Sequence, residues 1–556
     1  MDFPDQGLEE GWQVLPPIAK SSGRRRRYRH GSLADLSARS SLPPGPASLD
    51  EMFDYPIDIT QVLFSNSDYS ARCRALLQHG MVEHSDYSGI GAEREAKRLL
   101  LQVFREIYGW HVPHVFRKSC DSDPHCQDIL QMASHTCDEG SSCVFSDILH
   151  QLVPDAQAWC RAAVQDNSTA GSPQNHQRIN SEIRSFLLGN SWVVDQDICG
   201  LHRPKEHRAH CLVHKKNCIV NKPRDTLPNP GALVIAHAGN CCQAWSQEGK
   251  RARASHESQV PLAAWVASRK HLCQAGEEDM FFEECTPLFD VEECLREPLR
   301  DTHRIIKVVT GPRLMGWPTS RERLLSAGLS LRSLVWVGPQ TDEGVQDEFE
   351  RLFARSPRVN GSIFLQEDEA DVQRWLRLQL QKRSHYPETM PQGEGLFQML
   401  LAPGHLQRLE AYEAFRAEHA GLDGTFFCDL DHWPHSPGPD YGPMMPCLLT
   451  HGSILEMSRA RFVTPSERFL SLGFHAVRRA TERFCWDLGP YVLGQADRHT
   501  KSQSGNSQSL PVILAWNLYV FCNTVKRETT SPGPRISNLS DDSVGSDDEV
   551  PMSLEA

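Results

Sequence analysis

The chain has 556 residues, of which 39% are hydrophobic and 23% charged, and its formal net charge is −13. This is the composition of a globular protein with room for a large domain and an inserted lobe. The longest strongly apolar run, Leu510 to Phe521, falls short of the roughly 20 residues that a membrane-spanning helix needs. The acidic N-terminus lacks the apolar segment of a secretory signal, so we expect an intracellular protein whose 18 cysteines stay reduced.

Both ends of the chain have compositions typical of disorder. Residues 1–50 are rich in Pro, Ser and Arg, and residues 526–556 alternate serine with acidic residues. The basic run Arg24–Arg27 suits a nuclear-import signal or a nucleic-acid-binding arm, and nuclear localisation is the expectation that follows. A solvated basic tail that carries no targeting signal fits the same residues equally well.

The pattern between the tails is that of an α/β protein. Apolar residues recur at helical spacing from Glu93 to Tyr108, which predicts an amphipathic helix. Short apolar runs bounded by polar turns suit buried strands of a parallel sheet, and helical stretches separate them. These strand-like runs are Ala232–Ala238, Met280–Phe282, Ile305–Val309 and Leu334–Val337.

The α/β rhythm also indicates how the chain is divided. Residues 80–330 form the first part of the main domain, and residues 456–525 return to the same pattern. Between them, residues 331–455 carry charged helical segments and clusters of Pro and Gly, which predict an inserted lobe.

Three short segments in the first part are candidates for binding a nucleotide-like cofactor. The turn Ser85–Gly91 precedes the predicted helix, and glycines there let a ligand approach the backbone and the helix N-terminus. Asp121 follows the next strand-like segment, where a carboxylate can accept hydrogen bonds from a ribose diol, although a helix cap by Asp121 or Asp123 is an equally good reading. Asp147 ends a third apolar segment and is a candidate contact for an adenine amino group.

Four further side chains suit nucleophilic catalysis. Cys242 lies on a loop after a predicted strand, where reactive groups of open α/β sheets are usually found, and the nearby basic residues Lys250, Arg251 and Arg253 favour a thiolate. An inert, packed cysteine is the alternative. Glu284 ends the next strand. Arg321 and Arg323 share one face of an extended segment and suit an anion, or else lie solvated at the surface.

In this order and spacing, the segments resemble the C5-cytosine DNA methyltransferase family. The resemblance places Cys242 on the nucleophile of the family's Pro-Cys-Gln loop, Glu284 on the glutamate of Glu-Asn-Val, and Arg321 and Arg323 on the arginines of Gln-x-Arg-x-Arg. The segment that looks like the family's donor loop, Phe-x-Gly-x-Gly, consists of Tyr87, Ser88, Gly89, Ile90 and Gly91.

The remaining cofactor contacts also follow from the resemblance. Asp121 and Asp147 sit at the family's ribose-binding and adenine-contacting acids. Residues 461–474 look like its ninth motif, and residues 504–507 like its tenth, which brings Asn506 and Ser507 to the donor site. The inserted lobe occupies the place of the target-recognition domain.

The resemblance implies a Rossmann-like, S-adenosylmethionine-dependent methyltransferase fold with a smaller inserted target-recognition lobe. It implies S-adenosylmethionine as methyl donor and a flipped DNA cytosine as substrate, attacked at C6 by Cys242. Glu284 would protonate N3, while Arg323 and Arg321 would position the base and the Cys242 loop.

Some residues depart from the family pattern and leave two alternatives open. These are Cys241, Cys285 with Thr286, Thr319, and Gln508 with Ser509. One alternative is a regulatory DNA-binding protein that keeps the fold but turns over poorly, and the other is a tRNA-directed enzyme, because the same loop chemistry acts on RNA cytosines.

A Cys- and His-rich stretch near residues 199–218 lies outside the family pattern. Its spacing suits a tetrahedral structural zinc site, for which the predicted ligands are Cys199, Cys211, His214 and Cys218. The competing interpretation is a basic loop near nucleic acid, because no Cys-x-x-Cys pair is present.

Overall fold

The computed structural model describes residues 42–135, 142–169, 172–190, 207–240, 242–246, 252–382, 394–418, 424–434, 441–477 and 483–527. Several predicted features therefore lie outside the described residues: the basic run Arg24–Arg27, the zinc ligand Cys199, Cys241, the basic residues Lys250 and Arg251, and nearly all of the acidic tail. Nuclear localisation stays a prediction from the sequence.

The described residues form fourteen strands. They are β1 (Met81–Asp86), β2 (His114–Cys120), β3 (Cys143–Phe145), β4 (Arg208–Cys211), β5 (Lys216–Ile219), β6 (Leu233–Gly239), β7 (Met280–Cys285), β8 (His303–Thr310), β9 (Arg323–Ser330), β10 (Leu334–Trp336), β11 (Phe427–Asp429), β12 (Ile454–Glu456), β13 (Arg461–Phe462) and β14 (Thr524–Lys526).

Helices connect and cover these strands. They are α1 (Leu49–Phe53), α2 (Tyr55–Phe64), α3 (Ser67–Leu77), α4 (Ala92–Tyr108), α5 (Pro124–His135), α6 (Pro154–Thr169), α7 (Pro173–Gly189), α8 (Gln259–Ala275), α9 (Glu297–Leu299), α10 (Asp342–Phe353), α11 (Glu369–Gln381), α12 (Glu394–Leu400), α13 (Pro403–Glu418), α14 (Pro465–Leu470), α15 (Gly489–Leu493), α16 (Asp497–Asn506) and α17 (Leu510–Cys522).

A seven-stranded sheet in the order β3-β2-β1-β6-β7-β9-β8 organises the main domain. All its pairings are parallel except those of β9, which runs antiparallel to both neighbours. The order reverses direction between β1 and β6, which makes the carboxyl ends of these two strands the topological switch point. The predicted α/β class and Rossmann-like methyltransferase fold are confirmed.

Helix α4 shows how the local sequence fixes these elements. It begins after Gly91 and ends before Gly109, and both glycines have a positive φ, of 81° and 58°, that side-chain-bearing residues rarely adopt. The members Ala96, Leu99, Leu100 and Val103 of its apolar stripe are buried as their spacing predicts, whereas Ile107 in the last turn is 41% exposed.

The long apolar run near the C-terminus forms α17, whose thirteen residues are all buried. It packs against α2, α3 and α4, on one side of the sheet. Within the described residues, no helix combines the length and apolarity that crossing a bilayer demands. The run is apolar because all faces of this helix are buried in the protein core.

The first elements of the predicted lobe, β10 and α10, pack against the main domain. Strand β10 pairs antiparallel with β14 outside the main sheet, so it is not a strand of the parallel sheet, and α10 packs on β8. The lobe's own apolar core involves residues between Val372 and Phe462. Buried residues from Leu334 to Phe364 therefore pack in the main core, and β14 extends the described fold through Lys526; the bounds of the lobe stay a prediction.

The N-terminal border also differs from the prediction of a disordered segment up to residue 50. Gly45 donates its N–H to the Ser356 carbonyl at 2.8 Å, and Ser356 donates to the Pro43 carbonyl at 2.9 Å. Residues 42–50 thus belong to the fold, because a strand-like pairing with a distant segment satisfies their backbone groups.

A charged cluster is buried within the sheet beneath the switch point. Glu83 on β1 accepts hydrogen bonds from His114 on β2 at 2.6 Å and from His237 on β6 at 2.7 Å. Lys97 from α4 lies 3.4 Å from the same carboxylate, and both Glu83 and Lys97 are at most 1% exposed. Burial opposes ionisation of Glu83, but Lys97 and the two histidines hold its pKa well below the usual value. The cluster therefore ties three neighbouring strands to one helix.

Candidate active site

The predicted donor loop and nucleophile loop flank the switch point. Tyr87 follows β1, and Gly239 ends β6. A Cβ atom at Gly239 would lie 3.4 Å from the Tyr87 carbonyl oxygen and 3.2 Å from Gln508 Nε2. The donor loop, the nucleophile strand and the segment after α16 therefore meet at one point, although they are far apart in sequence.

The donor loop has a backbone that needs its glycines. Tyr87, Gly89 and Gly91 have φ values of 53°, 52° and 81°. No atom would lie within 4 Å of a Cβ added at Gly89, so its backbone faces open space. Ser88 anchors the loop to β2, because its N–H and its side chain both bind the Cys120 backbone. Ile90 is buried in the main core.

Asp121 lies directly beside this loop at the carboxyl end of β2. Its carboxylate accepts the Gly89 N–H at 2.7 Å and the Asp123 N–H at 2.9 Å. The helix-capping role falls instead to Asp123, which accepts the His125 N–H at 2.8 Å at the start of α5. Burial raises the pKa of Asp121. A carboxylate oxygen offers two lone pairs, so Asp121 retains capacity for a ligand hydroxyl.

Asp147 has a visible structural role. It follows β3 and caps a short 3₁₀ turn by accepting the Leu149 N–H at 2.9 Å. Its second oxygen lies 3.9 Å from Arg161, and the side chain is 37% exposed. One oxygen of Asp147 therefore still faces solvent on the cofactor side of β3, where the family resemblance expects an adenine.

Cys242 begins a 3₁₀ turn just after β6. Its carbonyl accepts the N–H groups of Trp245 at 2.9 Å and Ser246 at 2.8 Å, which fixes the backbone of the turn. The side chain is partly buried and packs at the edge of an apolar cluster that includes Trp245. A partly exposed thiol on a fixed turn is accessible to a substrate, whereas most of the described cysteines are buried.

Glu284 and Arg323 form an ion pair across the antiparallel strands β7 and β9, with Arg323 Nε 3.0 Å from Glu284 Oε1. Burial lowers the pKa of Arg323, but the electrostatic effect of its neighbours Cys447, Glu284 and Cys242 outweighs burial and raises that pKa above its ordinary value. Gly239, three residues before Cys242, pairs with Glu284 across β6 and β7, and Asn240 donates its N–H to the Glu284 carbonyl at 3.2 Å. The structure brings Cys242, Glu284 and Arg323 into one electrostatic environment.

Arg321 has a different set of partners from Arg323. It is 4% exposed and donates to the carbonyls of Leu448 at 3.3 Å, Gly505 at 3.0 Å and Ser507. Burial, followed by the charge of Arg323, lowers the pKa of Arg321 to about 10. The reading of both arginines as solvated surface charge is wrong. Arg321 instead fastens the segment after α16 to the active-site strand.

The predicted tenth-motif residues reach the site by this attachment. Asn506 ends α16 and is exposed, whereas Ser507 is buried. The hydroxyl of Ser507 is buried without a hydrogen-bond partner in the described part of the chain, as is that of Ser509. These two buried hydroxyls on either side of Gln508 can therefore form hydrogen bonds with a polar ligand.

The sequence pattern did not indicate a functional role for the buried glutamate next to Glu284. Glu283 is 2% exposed and accepts hydrogen bonds from Ser326 at 2.8 Å and Asn240 at 3.2 Å. Burial raises its pKa to about 8, although these two hydrogen bonds lower it. A proton on Glu283 at neutral pH avoids a second negative charge beside Glu284 and positions Asn240, at the start of the nucleophile loop.

We expect Glu283→Gln to flatten the pH dependence of stability. Native Glu283 keeps its proton up to about pH 8, whereas the unfolded chain releases it near the ordinary value of 4.5. The native state binds more protons in this window, so the free energy of unfolding falls with rising pH, by up to about 1.4 kcal/mol per pH unit. Urea unfolding between pH 5.5 and 8 should show that the free energy of unfolding declines less steeply with pH in the variant than in the wild type. Exposed Glu343→Gln is the matched control, and parallel curves for Glu283→Gln and wild type would contradict the assignment.

The Cys/His-rich stretch forms a compact cluster with one unforeseen member. Cys143, Cys211, His214 and Cys218 offer ligand atoms that all lie within 4.8 Å of one another. Three of the four predicted ligands therefore come together, while the predicted Cys199 lies outside the described residues. Cys143 comes from β3, 68 positions before Cys211, and sequence spacing gave no sign of it.

Comparison with known proteins adds little beyond the fold. No protein-family model matches the chain, and no curated protein matches it. Similar solved structures include a mutant of Spodoptera frugiperda DNMT2 at 12% identity, which covers 80% of this chain and 99% of that one, with a TM-score of 0.35.

Two further structures are similar at the same level. S. pombe Dnmt2 methyltransferase is 12% identical, covering 79% of this chain and 98% of that one, with a TM-score of 0.34. Entamoeba histolytica methyltransferase EhMeth is 14% identical, covering 80% and 98%, with a TM-score of 0.35. Likenesses this weak carry no argument about activity; by its own strand order, the chain has the Rossmann-like fold of the S-adenosylmethionine-dependent methyltransferases.

Proposed function

We propose that the chain is an S-adenosylmethionine-dependent cytosine-5 methyltransferase that acts on DNA and belongs to a divergent branch of the C5-cytosine methyltransferase family. The observation that carries the proposal is the meeting of four separate segments at the switch point of the sheet. Gly239 lies against Tyr87 of the glycine loop and pairs with Glu284, the ion-pair partner of Arg323, and Cys242 follows Gly239 by three residues. A thiol, a carboxylate, an arginine and a glycine loop are the groups that the proposed reaction requires.

The residues around the donor loop fit S-adenosylmethionine. Open space at Gly89 allows a ligand to approach the backbone. Asp121 can accept a ribose hydroxyl, and the unsatisfied Ser507 and Ser509 hydroxyls suit the polar end of an amino acid. When bound, S-adenosylmethionine supplies an electrophilic methyl group. The residues of this chain hold the donor and keep water from the reacting atoms.

Cys242 acts as the nucleophile in the proposed reaction. Its Sγ adds to C6 of the cytosine while Glu284 delivers a proton to N3, so that the electron pair of the C5–C6 double bond becomes available at C5. C5 would then attack the methyl carbon as the methyl–sulfur bond breaks to release S-adenosylhomocysteine. A base would remove the C5 proton, the Sγ–C6 bond would break to restore the ring and the thiolate, and the N3 proton would return to Glu284. Arg323 holds the Glu284 carboxylate in place throughout.

The substrate must reach this pocket as a base outside its helical stack. A cytosine in a duplex hides C6, so the proposed reaction requires base flipping, which costs a few kcal/mol. The inserted lobe, which has its own apolar core between Val372 and Phe462, provides a second body to hold the opened DNA. Its size favours DNA over tRNA.

The decisive test of the function is transfer of a tritiated methyl group from S-adenosylmethionine. Duplex DNA and tRNA are offered separately and in competition. We expect radioactivity in 5-methylcytosine of the DNA. Preferential labelling of tRNA would replace the DNA assignment, and donor binding without any transfer would favour a regulatory protein that has kept only the fold.

We expect Glu284→Gln to lower kcat by about 10²- to 10⁴-fold, because an amide cannot deliver a proton to N3. The dissociation constant for S-adenosylmethionine, measured by calorimetry, should change little. Glu343→Gln, at an exposed position away from the site, is the matched control. Full activity in Glu284→Gln would remove this residue from the mechanism.

A further inference from the structure

We infer that Cys143, Cys211, His214 and Cys218 bind one structural zinc ion that fastens the β4–β5 hairpin to the edge of the main sheet. The four ligand atoms lie within 4.8 Å of one another, and the inference does not depend on the proposed function. Three thiolates and one imidazole are among the commonest ligand sets of structural zinc.

The distances within the cluster agree with tetrahedral coordination. His214 Nδ1 lies 3.3 Å from Cys211 Sγ, 3.5 Å from Cys218 Sγ and 3.7 Å from Cys143 Sγ. Zn–S and Zn–N bonds of about 2.3 and 2.0 Å at the tetrahedral angle separate sulfur and nitrogen by about 3.5 Å. The imidazole nitrogen is thus placed at the distance from all three sulfurs that a shared ion demands.

The backbone presents these side chains from two separate elements, the β4–β5 hairpin and strand β3. Cys211 and Cys218 lie on the paired strands β4 and β5, and His214 lies in the turn between them. Leu212 donates its N–H to the Val144 carbonyl at 2.8 Å, so the hairpin docks beside β3, the edge strand that begins with Cys143. Four ligands from a short hairpin and an edge strand form a closed site.

Burial supports a metal rather than three ordinary thiols. Cys143 and Cys211 are at most 1% exposed and Cys218 is 9% exposed. A disulfide can join only two of the three sulfurs and leaves the third thiol outside the bond. A zinc ion satisfies all four groups together and closes the site to solvent.

The proposed ion would stabilise the sheet edge on which the donor-binding acids depend. Strand β3 has only three residues, so few ladder hydrogen bonds hold it to β2. At its far end, Phe145 accepts the Asp121 N–H at 3.2 Å, and Asp147 follows two residues later. Removal of the metal should therefore loosen β3 first.

Metal analysis of the full chain tests the site directly. The protein is purified without a metal-affinity tag under reducing conditions, and zinc is measured by plasma mass spectrometry. We expect about one zinc per chain in the wild type and in the matched control Cys126→Ala, whose cysteine is similarly buried in α5. Cys143→Ala and Cys218→Ala should each lose most of the zinc.

Two further measurements keep the inference falsifiable if these variants fold poorly. Replacement of zinc by Co²⁺ in the wild type should give the visible and near-ultraviolet bands of tetrahedral cobalt bound to thiolates. Cys199→Ala should retain zinc, because Cys143 fills the fourth position. A wild-type chain without zinc or cobalt bands, a disulfide among the three cysteines, or loss of zinc in Cys199→Ala with retention in Cys143→Ala would overturn the ligand assignment.

Discussion

Replacement of Cys242 by alanine is expected to reduce methyl transfer to DNA by at least about 10³-fold, to the limit of detection. Without the sulfur, C5 of cytosine is not activated for attack on the methyl donor. Binding of S-adenosylmethionine should persist, because the donor loop at Tyr87–Gly91 and Asp121 is unchanged. The measurement is initial rate with tritiated donor, together with donor affinity.

Cys241 provides an exacting control for this experiment, because it is the adjacent thiol in the sequence. Cys241→Pro restores the residue of the family pattern and should keep activity. DNA that contains 5-fluorocytosine should trap a covalent complex with the wild type and with Cys241→Pro, detected as a mass shift, and not with Cys242→Ala. If Cys242→Ala still forms the adduct and Cys241→Pro does not, the nucleophile is Cys241 rather than Cys242.

The second large effect is expected on stability. Lys97→Met should lower the free energy of unfolding by about 3–5 kcal/mol, because it leaves the Glu83 carboxylate buried with its cationic partner removed. Lys97 is 1% exposed and lies 4.4 Å from the centre of the Phe521 ring, so water cannot replace the ammonium group. Urea unfolding at neutral pH measures the loss.

A double variant separates the charge effect from packing. Lys97→Met combined with Glu83→Gln removes both charges and should recover most of the stability, because an apolar or neutral replacement of a whole buried pair costs little. Lys118→Met is a useful comparison, since Lys118 is also buried but donates to the neutral Asn221 side chain at 3.0 Å. If the double variant is as unstable as Lys97→Met, lost packing rather than an orphaned charge explains the effect.

This charged cluster also connects stability to the candidate site. His237 lies two residues before Gly239, and Glu83 lies four residues before Tyr87. The hydrogen bond between His237 and Glu83 joins β1 to β6 just beneath the loops that the proposed reaction needs. Variants of the cluster that still fold should therefore weaken donor binding as well.

Helices and strands that depend mainly on neighbouring residues could be predicted from the amino-acid sequence. Helical spacing of apolar residues and two flanking glycines were enough to predict α4, which the structure has at Ala92–Tyr108. The strands β6, β7 and β8 were likewise visible as short apolar runs, because a strand buried on both faces has few polar residues. The order of motifs along the chain also indicated the fold class and the candidate site residues.

Contacts between distant segments decided the rest. Only the folded chain shows that Cys143 joins Cys211, that Arg321 holds Ser507 while Arg323 faces Glu284, and that β10 pairs with β14 rather than with the main sheet. The physical reason is the same in each case. Burial and partnership of a polar side chain depend on what packs against it, and residues tens to hundreds of positions away supply those partners.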